Sequence, residues 1–323
     1  MAGQVFAYIK HAQGVADDSA KELVMAAKKI NAGAAVTAVV TGSGADLDKV
    51  CKDMTAFYNS VWKIDNAALA YPNGEVVRKA LVNVLPGDAI VLLPHDTFGM
   101  DLGPGLSIKM NSSFIADIVG IEGLDGGTLK VIRQEFSGQV STHVSADISN
   151  GAVINVRSGI FQADDSIGGA NGQVEDKSAA AGDLSAKRKY LETVQAAVGD
   201  VDITKSDVLV SVGRGIEEQD NLELIFELAK AMGADVSCSR PIVDAKWLEK
   251  SRQVGTSGQT VKPKVYLALG ISGSFQHLGG IKGNPFIVAV NKNAKAPIFQ
   301  VAEVGVEANI LEFVPELTAA IKG

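Results

Sequence analysis

Three segments in the C-terminal half place glycines, hydroxyls, amides and fixed cations directly behind short apolar runs. Gly213-Arg214-Gly215 follows the run Val208–Val212 and precedes a helical stretch over Asn221–Met232. Glycines on both sides of Arg214 let backbone N–H groups approach an anion closely. An ordinary strand-to-helix turn would look the same, so this motif alone decides nothing. The second segment, Ser239-Arg240-Pro241, leads through Asp244 and Trp247 to Arg252-Gln253-Val254-Gly255-Thr256-Ser257-Gly258. It offers a fixed cation, an amide, hydroxyls and two glycines, a loop able to wrap a polar planar ligand. Arg240 by itself reads as a surface ion-pair residue. The third, Gly270-Ile271-Ser272-Gly273-Ser274-Phe275-Gln276-His277, follows the run Val265–Leu269. Gly270 and Gly273 free the backbone, Ser272 and Ser274 supply donors, and a helix starting here would aim its N-terminus at a phosphate. His277, one of four histidines, would lie on its first turns. Asn291-Lys292-Asn293 ends the next apolar run and can read a ribose or phosphate, or simply terminate a strand.

The elements that must position these residues alternate apolar runs with amphipathic stretches. Val208–Val212, Val265–Leu269, Phe286–Val290 and Ile298–Val301 read as central parallel strands. Ligands of open parallel sheets sit beyond the carboxyl ends of the strands, so one edge of this second α/β unit is marked as a site. In the first half, Gln4–Ile9, Ala34–Thr41 and Ala89–Pro94 read as buried strands. Asp17–Ile30 places Leu23, Ala27 and Ile30 on one helical face, with Asp17 or Asp18 as N-cap. Glu75–Leu85 repeats the pattern with Val76, Val77, Ala80, Leu81 and Val84. Between Gly126 and Phe161 three segments read as consecutive antiparallel strands. The following stretch, rich in Gly, Ala, Ser and Asp, reads as a linker or extended arm. The expected organisation is an N-terminal α/β domain over 1–165, a linker over 166–204 and a ligand-binding α/β domain over 205–323. No GxGxxG fingerprint is present.

Composition sets limits. The 323 residues suffice for two domains, and 46% hydrophobic with 21% charged describes an ordinary globular protein. A net charge of −7 argues against a nucleic-acid footprint. Two cysteines, Cys51 and Cys238, build neither a disulfide framework nor a four-ligand metal site. The opening MAGQVFAYIK reads as a strand, not a signal or transit segment. No apolar run approaches the ~18 residues a membrane span needs. These features lead to the expectation of a cytoplasmic, bacterial protein.

SVGRGI, SRPIVDAKWL, RQVGTSG, LALGISGSFQH, IVAVNKN and APIFQVAEVG occur in the order and spacing of the electron transfer flavoprotein alpha subunit, which this chain resembles over nearly its full length. LLPHDTFGMDLGP and VRSGIF fit more loosely. The resemblance implies two α/β domains, each a largely parallel sheet flanked by helices, the C-terminal one an FAD-binding Rossmann-like domain. It implies one FAD there, a beta subunit as heterodimer partner, and AMP or a second FAD in that partner. Flavoprotein dehydrogenases such as acyl-CoA dehydrogenases would be donors, and a quinone reductase or similar flavoprotein the acceptor.

By the same resemblance, Arg240, beside Ser239, lies against the isoalloxazine ring. Ser257 bonds near flavin N5, in the loop of Gln253, Val254, Gly255 and Thr256. His277 sits near the C2 carbonyl with Gln276 close by. Ser272, the backbone of Gly270, Ile271, Ser272 and Gly273, and Asn291 hold the pyrophosphate and adenosine, with Ser274 a further cofactor-binding candidate, and Gly213, Arg214 and Gly215 line the same cleft. Lys292, Asn293 and Asn309 complete the set. Flavin reduction puts negative charge on N1 and the C2 carbonyl, so nearby cations or donors raise the potential. The chain departs from the family at Thr256, where a glutamine is usual, at Asn309, where an aspartate is usual, and at Gly105, which lacks the DLxPR arginine. Two other classes remain open. A free-standing FAD oxidoreductase would need the HDTFGMD loop as a substrate pocket, yet His95 and Asp96 lack an obvious acid–base partner. Asp96 and Asp101 read more simply as loop caps. A nucleotide-binding sensor would use the sheet ends for ATP. The NADH-dependent, electron-bifurcating branch of the family is a further alternative, faintly hinted at by Asn293.

Overall fold

Runs apolar on both faces become central strands, because only a sheet covered on both sides buries them. The computed structural model describes all residues except 1–3, 34, 137–139, 162, 164–166, 193–200 and 284. The chain divides into two units, Met1–Leu191 and Glu192–Gly323.

The first unit holds strands β1 (Val5–Ile9), β2 (Val36–Gly42), β3 (Ser60–Asp65), β4 (Ile90–Pro94), β5 (Ser113–Asp125), β6 (Thr128–Glu135), β7 (Val140–Asp147), β8 (Ala152–Val156) and β9 (Gln173–Asp176). They form one sheet in the order β9-β3-β2-β1-β4-β8-β5-β6-β7. All of β1, β2, β4 and β8 is buried. Helices α1 (Ser19–Ile30) and α2 (Gly44–Met54) cover one face. Helices α3 (Gly74–Val84) and α4 (Thr97–Met110) cover the other. Leu23, Ala27 and Ile30 are buried on α1 as the periodicity requires, and Asp17 Oδ1 accepts from Ser19 N at 2.9 Å.

Four expectations are corrected. The segment from Gly151 to Phe161 is not the third antiparallel strand: β8 runs parallel between β4 and β5, while β5–β6 and β6–β7 are antiparallel. Its core, Ala-Val-Ile-Asn-Val, has the uninterrupted burial of a central strand, which a hairpin edge would not give. HDTFGMD is not a loop but the start of α4, with Asp96 Oδ1 accepting from Gly99 N at 2.7 Å. Asp96 caps; Asp101 lies within the helix and faces Arg188 at 3.4 Å. Glycines at 99 and 103 let α4 lie against the Pro94 carbonyl and Asn155. Finally, the segment expected as a linker from 166 carries β9, paired in parallel with β3. Residues 193–200 of that segment lie outside the described residues.

The second unit is a five-stranded, wholly parallel sheet of β10 (Val208–Val212), β11 (Asp235–Cys238), β12 (Val265–Leu269), β13 (Phe286–Asn291) and β14 (Val304–Glu307), in the order β11-β10-β12-β13-β14. One face packs on α5 (Leu222–Met232) and α8 (Ile310–Lys322). The other is covered mainly by loops through Val254, Val261, Ile271, Ala296 and Ile298. Ile298–Val301, expected as a strand, is a 3-10 turn over Pro297–Gln300. Pro297 opens that turn with its φ fixed and no N–H to give a ladder, and Val301 is 42% exposed. Among the described residues no helix is long and apolar enough to cross a membrane.

Candidate functional site

After β10 the chain adds β11 on one side and β12 on the other, so strand order reverses between β10 and β12. A crevice opens at the carboxyl ends of such a pair. Gly213-Arg214-Gly215 leaves β10 there and Gly270-Ile271-Ser272-Gly273 leaves β12. Gly213 N donates to Leu269 O at 2.8 Å and Gly215 N to Gly270 O at 3.1 Å. A Cβ on Gly215 would stand 2.7 Å from Gly270 Cα. Gly270 and Gly273 have φ of +64° and +79°, which few other residues adopt. From β13, Asn291 Nδ2 donates to Ile271 O at 2.9 Å while its Oδ1 accepts from Asn293 N at 2.9 Å, tying both turns together.

These turns border a cleft of about 290 Å³ lined by Arg214, Ser272, Asn291, Lys292, Asn293 and Asn309, together with Gly215, Gly270, Ala296, Pro297 and Ile310. It holds two cations, amides and a hydroxyl, and no carboxylate. Asn309 caps α8, its Oδ1 accepting from Leu311 N at 3.1 Å, so the first turn of a 13-residue helix borders the cleft. The helix expected after Gly273 is different: α7 (Phe275–Leu278) is one turn of four residues and aims no macrodipole. Lys292 Nζ pairs with Glu217 Oε1 at 2.8 Å. Glu217 itself is held at φ +69°, and Glu218 N bonds back to Ile216 O at 2.8 Å.

The remaining candidates form a second group on the same edge. Val254 N donates to Cys238 O at 2.9 Å and Thr256 N to Gln276 O at 2.8 Å, which pins the loop between β11 and α7. Gly255 has φ +146°, and a Cβ there would lie 2.9 Å from Gln276 O. Gln253 is buried and donates Nε2 to Ser257 Oγ at 3.0 Å, so its amide orients the serine. Arg252, offered by the sequence as a fixed cation, is buried and donates to Val236 O at 2.7 Å; it holds the fold. Arg240 is the exposed one, at the start of a one-turn helix α6 (Arg240–Asp244), with its Nε 3.3 Å from Asp244 Oδ2. Ser239 precedes it, its N–H bonded to Val212 O at 3.0 Å. Ser274 and Gln276 stand exposed around α7. His277 is 5% exposed, with Nε2 2.9 Å from Tyr266 Oη and its ring beside the Val254 backbone. Burial pushes its pKa down to about 4, the backbone at Val254 opposing, so the ring is neutral at pH 7.

Sequence reasoning missed Tyr266, hidden inside a run whose apolar neighbours defined it as a strand. It missed Pro297 and Ile310 as cleft walls. It also missed the partner of His95 in the first unit: Nε2 lies 3.6 Å from Asp117 Oδ1. Arg157 grips the same carboxylate at 2.8 and 2.6 Å and Gln134 at 2.5 Å. Burial alone would raise the Asp117 pKa, but the bonds from Arg157 and the nearby cationic groups hold it below the usual carboxylate range. Among the described residues no group of three or more His, Cys, Asp or Glu could hold a metal ion.

A cleft lined by glycine backbone, amides and two cations, one of them paired with Glu217, fits the nucleotide and phosphates of a dinucleotide cofactor. Comparison with known proteins agrees. The family described as "Electron transfer flavoprotein domain" matches residues 5–182, and "Electron transfer flavoprotein FAD-binding domain" matches 202–282. Protein FixB of Clostridium saccharobutylicum is 32% identical over 296 residues, 90% of this chain and 87% of that one. The electron transfer flavoprotein subunit alpha of Mycobacterium leprae is 33% identical, with 97% of this chain and 96% of that one covered. The LctC subunit of the lactate dehydrogenase (NAD(+),ferredoxin) of Acetobacterium woodii is 29% identical over 98% of this chain and 76% of its own. The chain therefore belongs to the electron transfer flavoprotein family as an alpha subunit, an electron carrier with the family's FAD-binding domain in its C-terminal half.

Proposed function

We propose that the second unit holds one FAD across the reversal between β10 and β12, and that a beta subunit completes the carrier as a heterodimer. The observation that carries this reading is the cleft itself, where Gly213, Gly215 and Gly270 bring backbone close and Arg214, Ser272 and Asn291 line it together with Lys292, which is paired with Glu217. The adenosine and pyrophosphate would lie along this cleft, beside the first turn of α8. The isoalloxazine would extend toward Arg240, Ser257 and His277.

FAD supplies the reversible uptake of electrons. The protein's residues bind, orient and set the field. Arg240 brings a permanent charge, and its exposed pair with Asp244 is weak enough to release it to a ligand. Ser257 arrives already oriented by Gln253. His277 contributes a neutral imidazole, which leaves Arg240 as the stronger electrostatic lever. Electrons would come from flavoprotein dehydrogenases such as acyl-CoA dehydrogenases and leave to a quinone reductase or similar acceptor, in the bacterial cytoplasm. Potentiometric titration of the heterodimer tests the field: Arg240→Ala should lower the flavin potentials, and unchanged potentials would remove Arg240 from the account.

A second reading, the NADH-dependent bifurcating branch, draws on the likeness to LctC. Asn293 supports it little, since its Oδ1 accepts from Lys295 N at 3.0 Å as a local turn does. Two flavins per heterodimer, with reduction by NADH, would favour that branch.

A further inference from the structure

Beside the cleft the backbone is strained at one residue. Ile216, Glu217 and Glu218 make a γ-turn: Glu217 has φ +69° and ψ −52°, and Glu218 N donates to Ile216 O at 2.8 Å. This hand of the γ-turn is rare and strained for any residue with a side chain. Glycine adopts it at no such cost. Burial does not explain the glutamate, whose side chain is 46% exposed. Its ion pair with Lys292 does not explain it either, because Lys292 is 65% exposed and so open a pair contributes little. The chain keeps a strained glutamate where folding alone favours glycine, and strain of this kind gathers at functional sites.

The pair lies where a ligand would meet it. Glu217 follows the glycine turn after β10, and Lys292 directly follows β13. β12 runs between those two strands, so the pair joins the loops on either side of the β12 glycine turn. Lys292 lines the cleft, and among the described residues Glu217 is the carboxylate bonded to a lining side chain. A nucleotide in the cleft brings phosphates, which cations and glycine N–H groups can meet, and ribose hydroxyls, which need acceptors. The lining amides already accept backbone N–H groups: Asn291 Oδ1 from Asn293, Asn293 Oδ1 from Lys295 and Asn309 Oδ1 from Leu311. A carboxylate is the group that takes ribose hydroxyls at the edge of a parallel sheet.

We propose that Glu217 sets the specificity of this cleft: held by Lys292, its carboxylate accepts from the ribose hydroxyls of a bound nucleotide and turns away a ribose that carries a phosphate. Placing an adenosine there rests on the function proposed above. A phosphate on the 2′ or 3′ oxygen removes the hydroxyl proton and sets two negative groups against each other. Lys292 alone would attract that phosphate, and Glu217 cancels the attraction.

Calorimetric titration of the cofactor-free heterodimer tests this with three probes: ADP, 2′,3′-dideoxy-ADP, and ADP phosphorylated at the 2′ or 3′ oxygen. FAD is titrated alongside. Wild-type protein should bind ADP about tenfold more tightly than the dideoxy form, and more tightly than the phosphorylated forms. Glu217→Gly relieves the strained turn and should fold at least as stably. In that variant the dideoxy penalty should vanish, and the order of ADP and its phosphorylated forms should reverse, because Lys292 is then unpaired. Glu217→Gln, which keeps the side chain without its charge, should bind phosphorylated ADP better than wild type does. A merely structural glutamate would shift all the probes together. Wild-type protein indifferent to the ribose hydroxyls overturns the proposal, and so does Glu217→Gly with the wild-type order. Either result in a heterodimer that takes up FAD leaves the flavin reading standing. The expected ribose preference in a heterodimer that binds ADP but no FAD would support the role of Glu217 and overturn the flavin reading.

Discussion

The first unit's sheet is largely parallel and the second's wholly so, and the strands of both end in polar loops, yet the two edges treat their polar groups differently. In the first unit several of those groups bond one another, although both amide atoms of Asn155 and the Nδ1 of His95 are buried without partners among the described residues. Lys10 pairs with Asp96 at 2.5 Å, Tyr8 with Thr41 at 2.9 Å, and Arg157 closes on Asp117 and Gln134. In the second unit glycines occupy the strand ends, and Arg214, Ser272 and Ser274 stand exposed, with Asn291 tying the turns behind them. The same architecture carries cross-linked side chains on one edge, beside a cleft of about 350 Å³ at Thr97, Phe98 and Asp101, and glycine backbone on the other. The lesson is that side-chain pairing at the carboxyl edge, not the fold, separates a supporting sheet from a binding one.

The comparison can be broken at its glycines first. Gly270→Ala forces a Cβ to 2.7 Å from Gly215 Cα at φ +64° and should cost about 3 kcal/mol or more, with FAD lost. Gly44 in the first unit has a similar φ of +71° but nothing within 4 Å, so Gly44→Ala should cost only about 1 kcal/mol with FAD retained. Equal losses in chemical denaturation would remove the distinction.

The next effect is acid sensitivity. The folded His277 resists protonation down to about 4, against 6.5 unperturbed, whereas the unfolded chain binds that proton first. Stability present above pH 6.5 is therefore lost as pH falls toward 4, on the order of 3 kcal/mol in full. The lowered Asp117 pKa works in a more acid window: its contribution persists until pH falls below the ordinary carboxylate range. Hydrogen exchange between pH 6.5 and 4 should show the second unit loosening first, and simultaneous loosening would contradict the assignment.

Asp117→Ala should destabilise the first unit by about 2 kcal/mol, by taking the carboxylate from a partly buried guanidinium, while FAD content stays unchanged. Loss of flavin in that variant would mean the first unit's edge bears on the cofactor. The smallest effect is a gain: Glu217→Gly relieves a left-handed φ of +69° and gives up an exposed ion pair, for about 1 kcal/mol net stabilisation by thermal melting.

Much of this was legible in the residues. Val208–Val212 and Val265–Leu269 stand as strands where their apolar runs put them, and the glycine motifs fall at the strand ends. What failed had physical causes. α4 carries three glycines and Pro104 in place of helix formers; it is made helical by close approach to β4 and β8, which the local sequence does not reveal. β8 was hidden among hairpins because strand order is a tertiary property. Ile298 is buried like a strand residue, but Pro297 turns the chain. Arg252 and Arg240 are indistinguishable by type; only burial shows that the first holds a backbone carbonyl.

The central claim is that the second unit carries flavin. Purifying the complex from its native host, recording its visible spectrum and weighing it tests this most directly. The account predicts a flavin spectrum, FAD released on denaturation, and one partner of similar size. A colourless protein without that partner, not restored by added FAD, would contradict it.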